Sequence, residues 1–504
     1  MRKLYRIISM AILLAGGFYA KAQNSLSFYH LGDATYQNSS LNPAYVPNGR
    51  IFIGLPALSG VHVGINNKFS YNQLISKEGN TNTIKIRSLI NELQKENMTN
   101  AQVNISLLHL GYRFQNGMML SVFANERVET DVLYPKTLAE FLFEGNTANL
   151  GETIEVGSMG INATHFREMG IGFAHELSPQ LKVGVRLKML QGFFNYSTPS
   201  SMVANLKVDP QTYAWELEAE NIQFRSSGLN TYGDNLVSAG NSGFGLDVGF
   251  EYNVSKYLGF AASITDIGFI TWSNDIQNRV YEDTKFNYAG VDIKGINSLE
   301  TTLTDSLFDQ FKTKETSDGY KTWLPTKAYG SVIYRYTPET HFIGTVGARY
   351  VMGEMKMLYG GGVRQKLGPL TASVSAMRMP QHFFNLGAAL AVRGGPVQYY
   401  VAADGLLSLS VPDAKTFDFR MGLNFIIGKS PFQGLSSRGS TTSIDDSKSK
   451  KGSNKGVSTG SFLGKKVKTK KREGIYSVIG KQKKRKIPKS LSPPKNQTNP
   501  NKRN

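Results

Sequence analysis

Along most of this chain, apolar and polar residues alternate with period two. Phe417, Phe419, Met421, Leu423, Phe425 and Ile427 fall on one face of a strand, and Thr416, Asp418, Arg420, Gly422 and Asn424 on the other. Residues 243–252 repeat the pattern with Phe244, Leu246, Val248, Phe250 and Tyr252 against Gly243, Gly245, Asp247, Gly249 and Glu251. Residues 182–189 and 257–264 do the same. An apolar face opposite a small or charged one suits a strand with lipid outside and a wet lumen inside. A soluble antiparallel sheet also alternates. Strand length separates the two, because these strands run about 10 residues, as a tilted membrane span requires.

Read this way, the sequence predicts fourteen strands: 60–67, 103–114, 117–127, 167–176, 181–193, 243–253, 257–265, 327–337, 341–351, 355–367, 370–379, 382–393, 397–406 and 416–428. Every second connection is short and rich in turn formers, as in Gln115-Asn116, Ser178-Pro179-Gln180, Val254-Ser255-Lys256, Pro338-Glu339-Thr340, Gly368-Pro369 and Gly394-Gly395-Pro396. The intervening connections include the long ones, 68–102, 128–166, 194–242 and 266–326. Bacterial outer-membrane barrels have short periplasmic turns and long extracellular loops. The expected fold is an all-β, 14-stranded antiparallel transmembrane β-barrel over 57–429, with both ends of the barrel periplasmic.

The connections carry further signals. Ile86, Leu89, Ile90 and Leu93 stand at helical spacing, as do Leu299, Leu303, Leu307, Phe308 and Phe311. Each stripe suits a helix packed on the barrel rim or one that docks a partner. Residues 202–225 suit a hairpin extending a loop. Residues 23–56 precede the first expected strand, and Pro43, Pro47 and Pro56 argue against a central ladder there. This stretch is expected to be a plug, or hatch, inside the lumen, or else a loose lead-in.

Composition changes the picture at the two ends. The formal net charge is +19, of which +4 lies in residues 1–22 and +17 in residues 430–504, leaving −2 for the body. Arg2, Lys3 and Arg6, an apolar run from Ile7 to Tyr19, and Ala20-Lys21-Ala22 form the three parts of a secretory leader cut after Ala22. Export makes nucleic acid an unfit partner for the basic tail. There is no cysteine, which excludes disulfides, thiolate metal sites and a cysteine nucleophile.

Ser, Gly, Lys and Pro dominate residues 430–504, so a disordered basic tail is expected. It holds two clusters, one of Lys465, Lys466, Lys468, Lys470, Lys471 and Arg472, the other of Lys481, Lys483, Lys484, Arg485 and Lys486. Between them Ile475, Tyr476, Val478 and Ile479 could add a strand to a partner or dip into a bilayer interface. The anions open to a periplasmic tail are peptidoglycan carboxylates, the inner leaflet and acidic periplasmic proteins.

The sequence shows no catalytic, metal or cofactor constellation, and its seven histidines are scattered singly. The charges expected in the lumen (Lys182, Arg186, Lys188, Asp247, Glu251, Arg335, Arg349, Lys356, Arg364, Lys366, Asp418 and Arg420) could form a selective field or brace the barrel by cross-pairing. Their mixed signs favour bracing.

Asn42-Pro43-Ala44 resembles the Asn-Pro-Ala element in the hatch of FadL-type long-chain fatty-acid transporters, whose barrels have 14 strands. Leu41-Asn42-Pro43-Ala44-Tyr45, Ile264-Thr265-Asp266-Ile267-Gly268 and Leu324-Pro325-Thr326 are similar to recurrent segments of a related Bacteroidota group, which includes the type 9 secretion subunit PorV. The resemblance spans about residues 23–429, and the tail departs from it. It implies a hatch at Asn42, Pro43 and Ala44 and a hydrophobic ligand in the lumen. Two functions follow from the sequence. One is a structural or interaction subunit of a cell-envelope complex, embedded in outer-membrane lipid and tethered through its tail to a periplasmic protein or peptidoglycan. The other is a passive transporter of hydrophobic small molecules. An enzyme is not expected.

Overall fold

Alternation along the chain becomes a closed wall. The computed structural model describes residues 26–429, 457–462 and 465–470, apart from 79–80, 145–149, 156–158, 200–201, 213, 233–239, 282–284, 289–312, 380–381 and 408–414. The chain divides into two units, Met1–Thr441 and Thr442–Asn504.

The first unit is a 14-stranded antiparallel barrel. Its strands are β1 (Ile51–Gly54 and Val61–Asn66), β2 (Glu96–Arg113), β3 (Met118–Pro135), β4 (Gly160–Glu176), β5 (Leu181–Ser197), β6 (Asn241–Asn253) and β7 (Leu258–Trp272). They continue with β8 (Thr326–Arg335), β9 (Thr340–Val351), β10 (Glu354–Leu367), β11 (Leu370–Met379), β12 (His382–Gly394), β13 (Val397–Asp404) and β14 (Thr416–Ile427). Each pairs with the next in sequence, and β14 pairs back onto both halves of β1, Ile51 opposite Ile427 and Val61 opposite Met421. That last pairing leaves the sheet without an edge.

The pleat sends alternate residues to opposite sides. On β6, Phe244 is 67% exposed and Tyr252 44%, while Asp247 between them is fully buried. Leu187, Met189, Phe260, Ile264, Tyr334, Phe342, Val374 and Val392 also face outward and are exposed. Tyr112, Tyr252, Tyr257, Tyr334 and Tyr336 gather at the short-turn end, and Phe244, Trp323 and Tyr350 stand toward the other. An apolar belt between aromatic girdles is the surface a bilayer selects.

The structure departs from the sequence reading in two places. Proline was expected to keep residues 23–56 out of the ladder, yet Ile51–Gly54 pairs with β14 on one side and β2 on the other. Pro47 and Pro56 flank this half-strand without entering it, so no ladder donor is lost. Strands β2 to β5 run 17 or 18 residues, well past the expected ends at 103, 127, 167 and 193. Beyond the apolar belt both faces of a strand are wet, so the alternation that marks a lipid-facing strand fades while the hydrogen bonds continue. In the second unit Val457–Phe462 pairs with Lys465–Lys470 as a hairpin. Ser458 stands opposite Thr469 and Gly460 opposite Val467 in this ladder.

At the long-loop end, the helix expected around Ile86 to Leu93 exists as Ile86–Glu92, with Leu89, Ile90 and Leu93 buried locally. The expected hairpin appears as Val203–Val208 paired with Trp215–Glu220. Strands Thr153–Glu155 and Lys285–Tyr288 flank it in a four-stranded sheet. Helix Lys136–Glu144 lays Phe141 against Leu206, Val208 and Trp215. Three separate connections thus share one small sheet, and two of them its apolar core. The helix expected at 298–311 and the leader at 1–22 lie outside the described residues.

Candidate functional site: the filled lumen

Residues 26–48 do not line the periphery. They fold inside the barrel. Helix Leu26–His30 ends at Gly32, whose φ of +58° stops it. Two short 3-10 turns follow, Gly32–Ala34 and Tyr36–Ser40. One side chain organises the segment: Asn38 Nδ2 donates to the carbonyls of Phe28 at 3.0 Å, Tyr29 at 3.2 Å and Gly32 at 2.8 Å. Backbone bonds such as Leu31 N to Phe28 O and Tyr45 N to Asn42 O close within the segment.

The predicted hatch residues Asn42, Pro43 and Ala44 sit against the wall. Gly184 on β5 and Gly249 on β6 are opposite one another in the ladder. A Cβ on Gly184 would lie 2.2 Å from the Pro43 carbonyl carbon, and one on Gly249 2.2 Å from Asn42 Oδ1. The two glycines form a notch that only bare backbone leaves open. Within it Asn42 Oδ1 accepts from Ala44 N at 3.0 Å, and Asn42 Nδ2 donates to Phe250 O and Ala262 O.

Side chains make the other polar contacts between hatch and wall. Ser27 Oγ donates to Asp404 at 2.7 Å, His30 Nε2 meets Thr345 Oγ1 at 2.9 Å, and Ser263 Oγ donates to Leu41 O at 2.6 Å. Gln37 exchanges hydrogen bonds with Asn424. Gln37 Nε2 also donates to Ser59 O, in the loop that interrupts β1. Burial pushes His30 down to about 3, with the Arg364 charge acting in the same direction.

Apolar contact supplies the bulk of the seat. Leu26, Phe28, Tyr29, Leu31, Leu41 and Tyr45 pack against Ala261, Tyr329, Ile333, Ile343, Leu358, Met377 and Tyr400 of the wall. Tyr29 stacks on Tyr329 with centroids 4.9 Å apart, and Phe28 meets Tyr400 at 5.2 Å. Burying each such side chain stabilises the seat by about 1.5–3 kcal/mol. Here the inner wall is apolar, where a water-filled barrel has polar inner positions.

A second layer inside the barrel is ionic. Arg127 holds Asp266 with two bonds, 2.8 and 2.9 Å, and also pairs with Glu168 and Glu129. Lys188 lies 2.7 Å from both Asp247 and Asp266, and Arg186 pairs with Asp247. Lys327 reaches Asp266 and Glu129. Arg349 grips Asp131 at 2.7 and 2.8 Å. Five cations thus meet five carboxylates, so the layer is neutral. Asp266 is its hub. Together Thr265 and Asp266 oppose the single residue Asp247, in a bulge between Leu246/Ile267 and Val248/Ile264. Asp266 takes φ +62°, and its own N–H donates to Asp247 Oδ1 at 2.7 Å.

The two segments singled out beside the hatch meet at this bulge. Leu324 N donates to Gly268 O at 2.9 Å, and Thr326 Oγ1 donates to Asp266 O at 3.2 Å. The lumen charges read from sequence cross-pair: Lys182 and Arg335 with Glu251, Arg186 and Lys188 with Asp247, Arg364 with Asp33, Arg420 with Asp418. The pairs to Glu251 and Asp247 brace separate strands, whereas Arg420 with Asp418 and Lys356 with Glu354 pair within one strand and Arg364 reaches into the hatch. Arg127, Glu129, Asp131, Glu168, Asp266 and Lys327 escaped the sequence reading. The signal for three of them was present: Arg127, Glu129 and Asp131 continue the inward period of β3 past its expected end. Of the tail residues, Lys465, Lys466, Lys468 and Lys470 fall on the second strand of the hairpin. Lys471, Arg472, Lys481, Lys483, Lys484, Arg485 and Lys486 lie outside the described residues.

The model of a family of unknown function, DUF5723, matches residues 43–404. No curated protein matches the chain. Among solved structures, the chain is similar to the Ralstonia pickettii toluene transporter TbuX at 9% identity, covering 78% of this chain and 94% of that one, with a TM-score of 0.37. The Pseudomonas putida toluene transporter TodX matches at 8% identity over 81% and 95%, TM-score 0.35. A Pseudomonas aeruginosa FadL homologue matches at 7% identity over 78% and 94%, TM-score 0.35.

Proposed function

The chain belongs to the DUF5723 family of unknown function, and from its geometry we propose that it is an outer-membrane barrel that passes small hydrophobic molecules when residues 26–48 leave their seat. The apolar inner wall behind the hatch carries this reading. Were the hatch withdrawn, Tyr329, Ile333, Ile343, Leu358, Met377 and Tyr400 would line a chamber suited to an apolar solute and poor for ions. The manner of attachment supports it too. Side-chain contacts hold the hatch, and its backbone bonds close on themselves, so it can move without breaking the wall's ladder.

Uptake into liposomes tests the reading. Vesicles holding the full chain should take up labelled toluene or a fatty acid faster than protein-free vesicles, and a variant lacking residues 26–48 should be faster still. Equal uptake in all three, with correctly folded barrels, would reject it.

A structural subunit tethered through its tail is the second reading, favoured by the hairpin that stands in the most basic part of the chain. A periplasmic protein or peptidoglycan would be the partner in that case. The two readings are compatible, since one concerns the lumen and the other the tail.

A further inference from the structure

We propose that Lys327, Arg349 and Met352 close the lumen a second time, toward the long-loop end, and that this clasp decides whether ions pass. It rests on the reading of the lumen as a passage and adds a barrier in series with the hatch.

Arg349 on β9 holds Asp131 on β3 at 2.7 and 2.8 Å. Lys327 on β8 is its direct partner in the β8–β9 ladder and lies 3.8 Å from Glu129, also on β3. Two adjacent cations thus face two carboxylates at successive inward positions of one strand. Neither pair joins ladder neighbours: β3 pairs with β2 and β4, and β9 with β8 and β10. Among fourteen strands, β3 and β9 are six apart one way round and eight the other, close to diametrically opposed. A round cylinder of fourteen strands spaced about 4.8 Å apart would be at least about 20 Å across. That exceeds the joint reach of an Arg and an Asp side chain. The wall is therefore drawn in at this level, and the two pairs cross the bore.

The local sequence shows how the wall comes in. Met352 and Gly353 alone link β9 to β10, with φ of +52° and +82°. So tight a turn cannot arch away as a long loop does, and its tip follows the strands inward. Met352 reaches β4, where a Cβ on Gly160 would run into its terminal methyl. Gly160 leaves room for Met352 as Gly184 and Gly249 do for the hatch. The order along the bore follows from β8: Lys327 is one inward step nearer the long loops than Tyr329, on which Tyr29 of the hatch stacks. Arg349 is 2% exposed and Asp131 fully buried, so no wet path runs between them, and an ion would have to shed its hydration to pass. The closed clasp also leaves bonding capacity unused. Glu129 Oε2 and Arg349 Nε have no hydrogen-bond partner among the described residues, which lowers the cost of parting the two sides.

Conductance in planar bilayers, with potassium chloride on both sides, tests the clasp. Protein lacking residues 26–48 should conduct little. The same deletion carrying K327Q/R349Q should conduct at least tenfold more. The deletion carrying M352N, which keeps every charge and a residue that tolerates the left-handed turn, should conduct at least threefold more than the deletion alone. Heat-modifiable migration checks that each barrel is folded, and M352N carries the test where K327Q/R349Q fails to fold. A hatch deletion that already conducts as well as these variants overturns the proposal. So do folded variants that stay as silent as the deletion alone. Ion conductance is read without any apolar solute, so failure here leaves the uptake comparison standing, and equal uptake in all vesicles leaves this result standing.

Discussion

Single residues decide whether the lumen is filled. Gly184 and Gly249 are the sharpest case, because a Cβ would run into hatch backbone at Gly184 and into the Asn42 and Pro43 side chains at Gly249. Gly184→Val should cost the hatch about 1–3 kcal/mol of overpacking while leaving the outward face of β5 intact. The expected result is faster protease cleavage within residues 26–48 and unchanged heat-modifiable migration. Unaltered cleavage would show that the notch does not hold the hatch. His30 makes a pH prediction. Seated, it stays neutral down to about 3. Released into water, an ordinary histidine takes up a proton near 6.5. The released form therefore binds more protons between those values. The contribution to seating is complete above 6.5 and falls as pH drops, by about 2 kcal/mol at pH 5. Hatch protection should weaken on acidification in wild type and much less in His30→Asn; equal slopes would refute the assignment.

At the scale of elements, the bulge on β7 explains what the sequence showed and what it hid. Period two located all fourteen barrel strands, since lipid on one side and a lumen on the other enforce strict alternation. It could not place Asp266, because a bulge inserts a residue and flips the phase: Thr265 and Asp266 both face inward, and Ile267 resumes the outward row. Glu129 and Asp131 keep the inward period beyond residue 127, so the alternation carried their signal although the expected strand stopped short of them. Asn42-Pro43-Ala44 was singled out in the sequence, but the wall residues it meets were not, since the glycines opposite it look like any lumen-facing glycine. Asp266→Asn tests the hub. Asparagine tolerates the left-handed backbone, so the change isolates the charge. Arg127, Lys188 and Lys327 would then share one carboxylate fewer, at a cost of about 3–5 kcal/mol. A clear drop in the melting temperature is expected, with no change in strand content by circular dichroism. A drop as small as that of a surface Asp→Asn change would mean that the network is redundant.

For the whole molecule, charge and shape separate into regions with different surroundings. The body carries −2 and cancels its lumen charges internally, while +17 resides beyond the last strand. The apolar belt, the aromatic girdles and the loop asymmetry all report the same axis, with short turns at one end and the shared loop core at the other.

The seam between β1 and β14 carries a consequence for how the molecule is made. Ile51 meets Ile427 across nearly the whole barrel sequence, whereas the other wall pairings join neighbours in the chain. Closing so long a loop is entropically the costliest step, so the cylinder zips up there last. The hatch directly precedes β1 and is bonded to Asn424 on β14 and Ser59 in β1's own interruption. It must be inside before the gap shuts. The segment that fills the finished lumen is thus also the template on which the first and last staves find each other, so that the plug of the mature protein begins as a jig for its assembly.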